Sequence, residues 1–555
     1  MSQTKNELNS FSYKLPLNLE QAVLHEIEEW TRSGKLATAW GGNSSVWTSS
    51  GEEKWLGWLD ITSRELTMVE RLEKFAISIR NEGFRHVVLL GMGGSSLCAE
   101  VLEKSFSLSG VKHEFPDFRI LDSTDPLQIR DLEESISIED TLFIVSSKSG
   151  STLEPNVLFD YFFHRVTECV GKSDAGSHFI AITDPGSSLE AKAKTNAFKE
   201  IFYGDPHIGG RYSVLSNFGM VPAALMGVDL KKFLTQTQLM VDHCRPDVPS
   251  LENPGLLLGV ILGVLGKLGH DKITIVCTKE IEDFGAWLEQ LLAESTGKQG
   301  HGLIPIVREE TLSPQYYGSD RVFVYVRMDE SADVELDSKI TALEKLGQPV
   351  IRIVVADIYN LGQEFFRWEA ATSVAGSILG INPFNQPDVE ASKLATRKLT
   401  DQYEKEGSLQ VEVPIFQNDE VQIFGEPTEI PNKINDPQAF DDNILQSLRT
   451  QVLMAKKVAT CVEFGPRFLH STGQAYKGGP NTGVFLQITT NNFADLEVPG
   501  HKYAFGVVKA AEAQGDLTVL KERHRRVMRI HLRRDTESGL NYLRKEMKSA
   551  IKKCA

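Results

Sequence analysis

Ser147, Lys148, Ser149, Gly150 and Thr152 crowd one short stretch, "SSKSGST", directly after the apolar run "TLFIV" (Thr141 to Val145). Hydroxyls, a close-approach glycine and the free amides of a helix start are all donors, and donors gathered in one turn suit an anion. A second stretch, "LLGMGGSSLCAEVL", repeats the order strand, glycine turn, helix, and offers Gly94 and Ser95. One serine-rich turn alone also reads as a plain helix start, with Thr152 as cap and Glu154 in the first turn. Two such turns close together favour a cradle for a phosphate. Nucleotide readings fit less well. The dinucleotide fingerprint needs a third glycine where Ser96 stands, and the Walker-A pattern fails in "VTECVGKS" because Val166 occupies the first glycine position.

Acid–base chemistry has its own candidates. "FGAWLEQLLAESTGK" (Phe284 to Lys298) reads as an amphipathic helix stopped by Gly297, with Gln290 and Glu294 on one face. Glu294 falls in the last turn, where the helix dipole disfavours a carboxylate, so it suits a general base; a solvent-facing helix glutamate is the bland alternative. In "GGRYSVLSNFGMVPAALMG", Arg211 follows two glycines and precedes an apolar helix, a position from which a fixed positive charge can meet a developing oxyanion. "PFNQPDVEASK" sets Gln386 and Lys393 two helical turns apart, and "FLHSTGQAYKGGPNTG" holds His470 in a glycine-rich loop fit for proton transfer.

These residues need elements to position them. "HVVLLG", "FRIL", "TLFIVS" and "HFIAIT" are short unbroken apolar runs separated by helical stretches, and "KITIVCT", "RVFVYV" and "VIRIVV" repeat the texture further on. Runs of that kind are strands buried on both faces, so the spacing predicts two doubly wound parallel sheets in tandem. A helix is expected at "LEQAVLHEIEEWTR", and "GLLLGVILGVLG" is too short to span a bilayer and reads as a buried helix. The expected division is a helical segment over 1–64, one sheet domain over 65–235, a second over 236–400, a β-rich connector over 401–440 and an α/β extension over 441–555, with a strand at "GVFLQIT".

The chain has 555 residues, 24% of them charged, with a net charge of −16, which disfavours nucleic acid and anionic membranes as partners but leaves room for a locally positive site. Six cysteines without C-x-x-C spacing, and a start "MSQTKNELNS" lacking an apolar core, predict a reduced, cytoplasmic setting without zinc or disulfides.

Taken together, "GMGGSS", "SSKSGST", "GGRYS", "QLLAESTGK", "NPFNQPDVEASK" and "LHSTG" resemble the phosphoglucose isomerase family, especially the isomerase half of bacterial transaldolase–isomerase fusions; the stretch before His86 is too short for a transaldolase barrel. The first two motifs are also similar to the sugar-isomerase (SIS) domain of other sugar-phosphate proteins. The resemblance implies interconversion of glucose 6-phosphate and fructose 6-phosphate, in glycolysis and gluconeogenesis, without metal or cofactor. It implies that Ser95, Ser147, Ser149 and Thr152 hold the phosphate, with the Lys148 backbone amide. Glu294 then moves the proton between C2 and C1 through a cis-enediolate, and Arg211 stabilises that anion, with Gly94, Gln290 and Gln386 lining the pocket. His470, helped by Lys393, opens the ring. One departure stands out: the histidine motif follows the lysine motif here, whereas ordinary members have it before, often supplied by a partner subunit. A homodimer and a self-contained chain are both compatible with that order. The rival from another class is a non-catalytic SIS-type sugar-phosphate-binding regulator, which has no use for Glu294 or Arg211.

Overall fold

The computed structural model describes residues 8–108, 114–331, 333–409, 412–425, 442–491, 494–533 and 536–553. Its strands grow from the apolar runs. After β1 (Ser10–Lys14), the strands β2 (His86–Leu90), β3 (Asp117–Leu121), β4 (Thr141–Ser146), β5 (Phe179–Thr183) and β6 (Glu200–Tyr203) form an all-parallel sheet ordered β3-β2-β4-β5-β6. All six residues of β4 are buried, as strands covered by helices on both faces require. The strand order reverses between β2 and β4, and the crevice beyond such a reversal is where open sheets bind ligands.

A second sheet joins β7 (Lys272–Cys277), β8 (Ile304–Val307), β9 (Arg321–Met328) and β10 (Val350–Val355) in the order β1-β10-β9-β7-β8. Its strands are parallel except β1, which the N-terminal segment lends as an antiparallel edge from Ser10 opposite Val354 to Lys14 opposite Val350. The segment is otherwise helical, as expected: Leu17–Ser33 buries Leu19, Val23, Ile27 and Trp30 at helical spacing. The fold class is thus two doubly wound α/β units in tandem, with a helical lead-in and a C-terminal α/β extension.

The "GLLLGVILGVLG" helix, Pro254–Lys267, is the buried helix the sequence predicts, and its glycines explain how. Gly255, Gly259 and Gly263 share the face that meets the helix Leu361–Leu379. A side-chain carbon added at Gly259 would lie 2.5 Å from the Ala371 carbonyl oxygen, so the two backbones approach as only glycine allows. Among the described residues no helix is long and apolar enough to cross a membrane.

The extension builds a third sheet from β11 (Phe416–Gln417), β12 (Val421–Phe424), β13 (Val484–Thr490) and β14 (Arg526–Leu532), ordered β11-β12-β14-β13. The connector does supply strands, but they belong to this sheet, and its first residues continue the helix Pro387–Glu406. The rest of the connector, 410–411 and 426–440, lies outside the described residues. One apolar core runs from Leu15 to Phe384 through both large sheets. On the other face of the first sheet, Tyr503, Phe505 and Val508 from the extension pack with Val157 and Phe162, which seats the helix Phe505–Glu522 close to the strand ends that matter.

Candidate active site

The two donor-rich turns follow β2 and β4, one on each side of the strand reversal. In the second, the Ser147 backbone N–H donates to the Ile182 carbonyl (3.0 Å), and the Ser147 hydroxyl donates to Thr152 Oγ1 (3.1 Å). Gly150 turns with φ +71°, and a side-chain carbon there would sit 2.5 Å from the Leu189 nitrogen. Asn156 clamps the turn through donation to the Gly150 and Thr152 carbonyls at 2.9 and 2.7 Å. Thr152 occupies the cap position of the helix Leu153–Val170, yet its side chain makes no capping bond, and Ser149 and Ser151 are exposed. First-turn amides left uncapped beside exposed hydroxyls are what an anion needs. Lys148 turns its side chain the other way, to both Asp184 oxygens (2.7 and 2.5 Å) and the Asp205 carbonyl, so only its backbone remains to face a ligand.

The first turn works by close approach. Gly94 packs so tightly on the Gly209–Tyr212 loop that a side-chain carbon would lie 2.4 Å from the Gly210 oxygen, and at Gly93 (φ +56°) one would meet His470 and Gln290. Ser95 is buried in the same turn. These glycines bring Arg211, Gln290 and His470 to one place.

Arg211 is 2% exposed and held by four hydrogen bonds: Nε to Ser295 Oγ (2.6 Å), Nη1 to Gln386 Oε1 (2.9 Å), and Nη2 to the carbonyls of Pro383 (2.7 Å) and Asn385 (3.1 Å). A planar guanidinium anchored on three sides cannot swing. Its remaining direction faces Glu294, whose Oε2 lies 3.6 Å from Nη1. Glu294 is buried in the last turn of the helix Phe284–Thr296, and Gln290 one turn earlier donates to Glu294 Oε2 (3.2 Å) and to the His470 carbonyl (2.8 Å). The bland reading of Glu294 as a solvent-facing residue is therefore excluded. Lys298 was not singled out by the sequence. It is buried beside this pair, donating to the Ser295 and Asn382 carbonyls, and burial followed by the Arg211 charge pushes its ammonium well below the usual lysine range.

His470 comes from the extension of the same chain. Its Nε2 lies 2.6 Å from Glu154 Oε1, and Glu154 heads the very helix that follows the serine turn. Burial opposes ionisation of Glu154, but His470 and its hydrogen bond outweigh that and hold the carboxyl below its ordinary value. Sequence reading placed Glu154 only as a first-turn acid; a partner 316 positions away leaves no local signal. Gln386 reaches the site through Arg211. Lys393 stands apart at its edge, 38% exposed and paired with Glu390 (3.0 Å), though its charge is felt at Glu154. A continuous set of contacts thus links the serine turn through Glu154, His470, Gln290 and Glu294 to Arg211 and Gln386. Chemically, it offers an anion cradle, a buried carboxylate beside a fixed cation, and an imidazole oriented by a second carboxylate.

Tandem doubly wound parallel sheets with this constellation at their crevice place the chain among α/β proteins with a strand-end site. Residues 71–311 match the family model described as phosphoglucose isomerase. Gln386, Lys393 and His470 lie beyond the matched residues. Among its relatives, a probable glucose-6-phosphate isomerase of Methanococcus maripaludis is 27% identical over 370 residues, covering 61% of this chain and 82% of the relative. A glucose-6-phosphate isomerase of Lactobacillus delbrueckii is 27% identical over 438 residues, covering 71% and 94%. The fold is shared with two solved structures. A hypothetical protein from Thermus thermophilus superposes with a TM-score of 0.58 at 23% identity, over 70% of this chain and 99% of that one. A glucose-6-phosphate isomerase from Chlamydia trachomatis gives 0.53 at 22%, over 62% and 74%.

Proposed function

We propose that this protein is an aldose–ketose isomerase interconverting glucose 6-phosphate and fructose 6-phosphate, with each step assigned to a named residue. Ser147, Ser149, Thr152 and Ser95 hold the phosphate with the Lys148 backbone amide and the open first turn of Leu153–Val170. His470, oriented by Glu154, moves the proton that opens the sugar ring, and Lys393 at the rim assists once it leaves Glu390. Glu294 then takes the C2 proton of the open-chain aldose and returns it at C1. Arg211 offsets the charge of the cis-enediolate between those transfers; four of its five N–H donors are engaged elsewhere, so it acts mainly as a fixed charge in a dry site. Gly94, Gln290 and Gln386 shape the wall.

The observation that carries this reading is the buried Glu294–Arg211 approach at 3.6 Å, joined through Gln290 to the His470 loop. A regulator that merely bound sugar phosphates would gain nothing from burying a carboxylate and a guanidinium together, since their desolvation is costly. The test is a coupled assay with fructose 6-phosphate. Glu294→Gln keeps substrate binding and loses about 10²- to 10⁴-fold in kcat, the usual contribution of a positioned base. Turnover equal to that of the unaltered protein would end the assignment.

A further inference from the structure

The helix Phe505–Glu522 brings a second buried glutamate to the histidine. Glu512 is 4% exposed, and its Oε2 accepts a hydrogen bond from the Thr124 hydroxyl at 2.9 Å. Its Oε1 is equally buried and meets no donor among the described residues. The carboxyl group of Glu154 lies within hydrogen-bonding contact of the Glu512 carboxyl group. Two buried carboxylates in contact cannot both be ionised, so one of them carries a proton. The surrounding cations decide which. Glu154 has His470 Nε2 at 2.6 Å and the field of Lys393 from the helix Pro387–Glu406. At Glu512 the cation felt is Lys509 on its own helix, and that ammonium is engaged with Asp125 at 2.6 Å. Thr124, its hydrogen-bond donor, is neutral.

We propose that Glu512 is a positioning residue for ring opening: a carboxylic acid that keeps its proton and donates it as a hydrogen bond to Glu154, fixing Glu154 as the ionised acceptor of His470. This rests on reading His470 as the proton-transfer group. A neutral donor satisfies the second Glu154 oxygen without adding charge, so the imidazole stays oriented. Burial, and then the Glu154 charge, hold the Glu512 carboxyl well above its ordinary range, in keeping with this arrangement. The same helix face secures the loop a second time: Asp516, one turn on, pairs with fully buried Lys477 (2.5 Å), which lies in the short helix directly after His470.

Glutamine is the discriminating replacement, because its amide can donate to Glu154 and accept from Thr124 just as a protonated glutamate does. The readouts are the His470 ring-proton titration by NMR and the exchange rate between fructose 6-phosphate anomers. Glu512→Gln leaves the His470 midpoint within about 0.3 pH unit of the unaltered protein and anomer exchange within about twofold, since a neutral donor replaces a neutral donor. Glu512→Ala removes the donor, concentrates charge on Glu154, raises the midpoint by about 0.5 to 1 unit and slows exchange about tenfold. A Gln variant whose midpoint falls by a similar amount would show that Glu512 is ionised and overturn the proposal, as would an Ala variant that changes neither readout. If Glu512→Ala does not fold, the Gln titration decides by itself. A protein that turns over no sugar phosphate sinks the isomerase reading, while the titration, which needs no substrate, still judges the brace.

Discussion

Glu294 and Glu65 are both buried glutamates, and the company each keeps separates them. Glu294 has a fixed guanidinium and an amide donor; Glu65 has an oxygen with no partner among the described residues, and burial pushes it up to about 7 against the weaker pull of Arg64. The folded state therefore holds a proton on Glu65 that the unfolded chain releases near 4.5, so stability falls as pH rises from about 4.5 to about 7 and levels off above, a loss of about 3 kcal/mol. Glu65→Gln removes that slope; urea midpoints at pH 5 and pH 8 show the variant gaining relative to the unaltered protein only at the higher pH. In the cradle, Ser147→Ala with Thr152→Ala weakens binding of fructose 6-phosphate much more than of fructose, read by calorimetry; equal losses would mean that the turn does not hold phosphate. The residue types of the site were legible in sequence, because hydroxyls after a strand and a glutamate ending a helix are local patterns. Glu154, Lys298 and Glu512 were not, because each acquires its meaning from a group hundreds of positions away or from burial alone.

Elements were legible where burial was complete. β4 and β5 come from unbroken apolar runs, and the sequence marks them within a residue of their ends. β1, β6 and β8 escaped: "SFSYK" alternates instead of running apolar, "EIFY" is only four residues long, and "IPIV" carries a proline. Edge or near-edge placement tolerates such sequences because fewer faces and ladder bonds must be satisfied. The glycine face of Pro254–Lys267 gives the sharpest prediction at this scale. Gly259→Ala forces the helix off Leu361–Leu379, because the obstacle 2.5 Å away is backbone and cannot rotate aside. About 1 to 3 kcal/mol of stability is lost, as for other overpacked cores, measured as a lower urea midpoint with little change in kcat.

At the scale of the whole molecule, the extension builds its own sheet and also packs against the first one. The Lys477–Asp516 pair is fully enclosed, so Lys477→Met strands a buried carboxylate and costs about 3 to 5 kcal/mol, while Lys477→Met with Asp516→Leu recovers most of it. Thermal unfolding of the two variants checks this, and a double variant no better than the single one would deny the pair its role. That His470 reaches Glu154 within one polypeptide could not be read from motif order, which only revealed that the histidine had moved downstream.

The order of the parts along the chain has a consequence for synthesis. A ribosome makes the serine turn first, then the arginine, the base and the lysine, and only near the end the histidine loop and the helix that props it. On the proposed roles, a nascent chain halted after Pro387–Glu406 would own a seat for the phosphate and a base for the carbon acid, yet not the imidazole assigned to open the cyclic sugar. Fast use of ring-closed substrate then waits, on those roles, for the histidine loop.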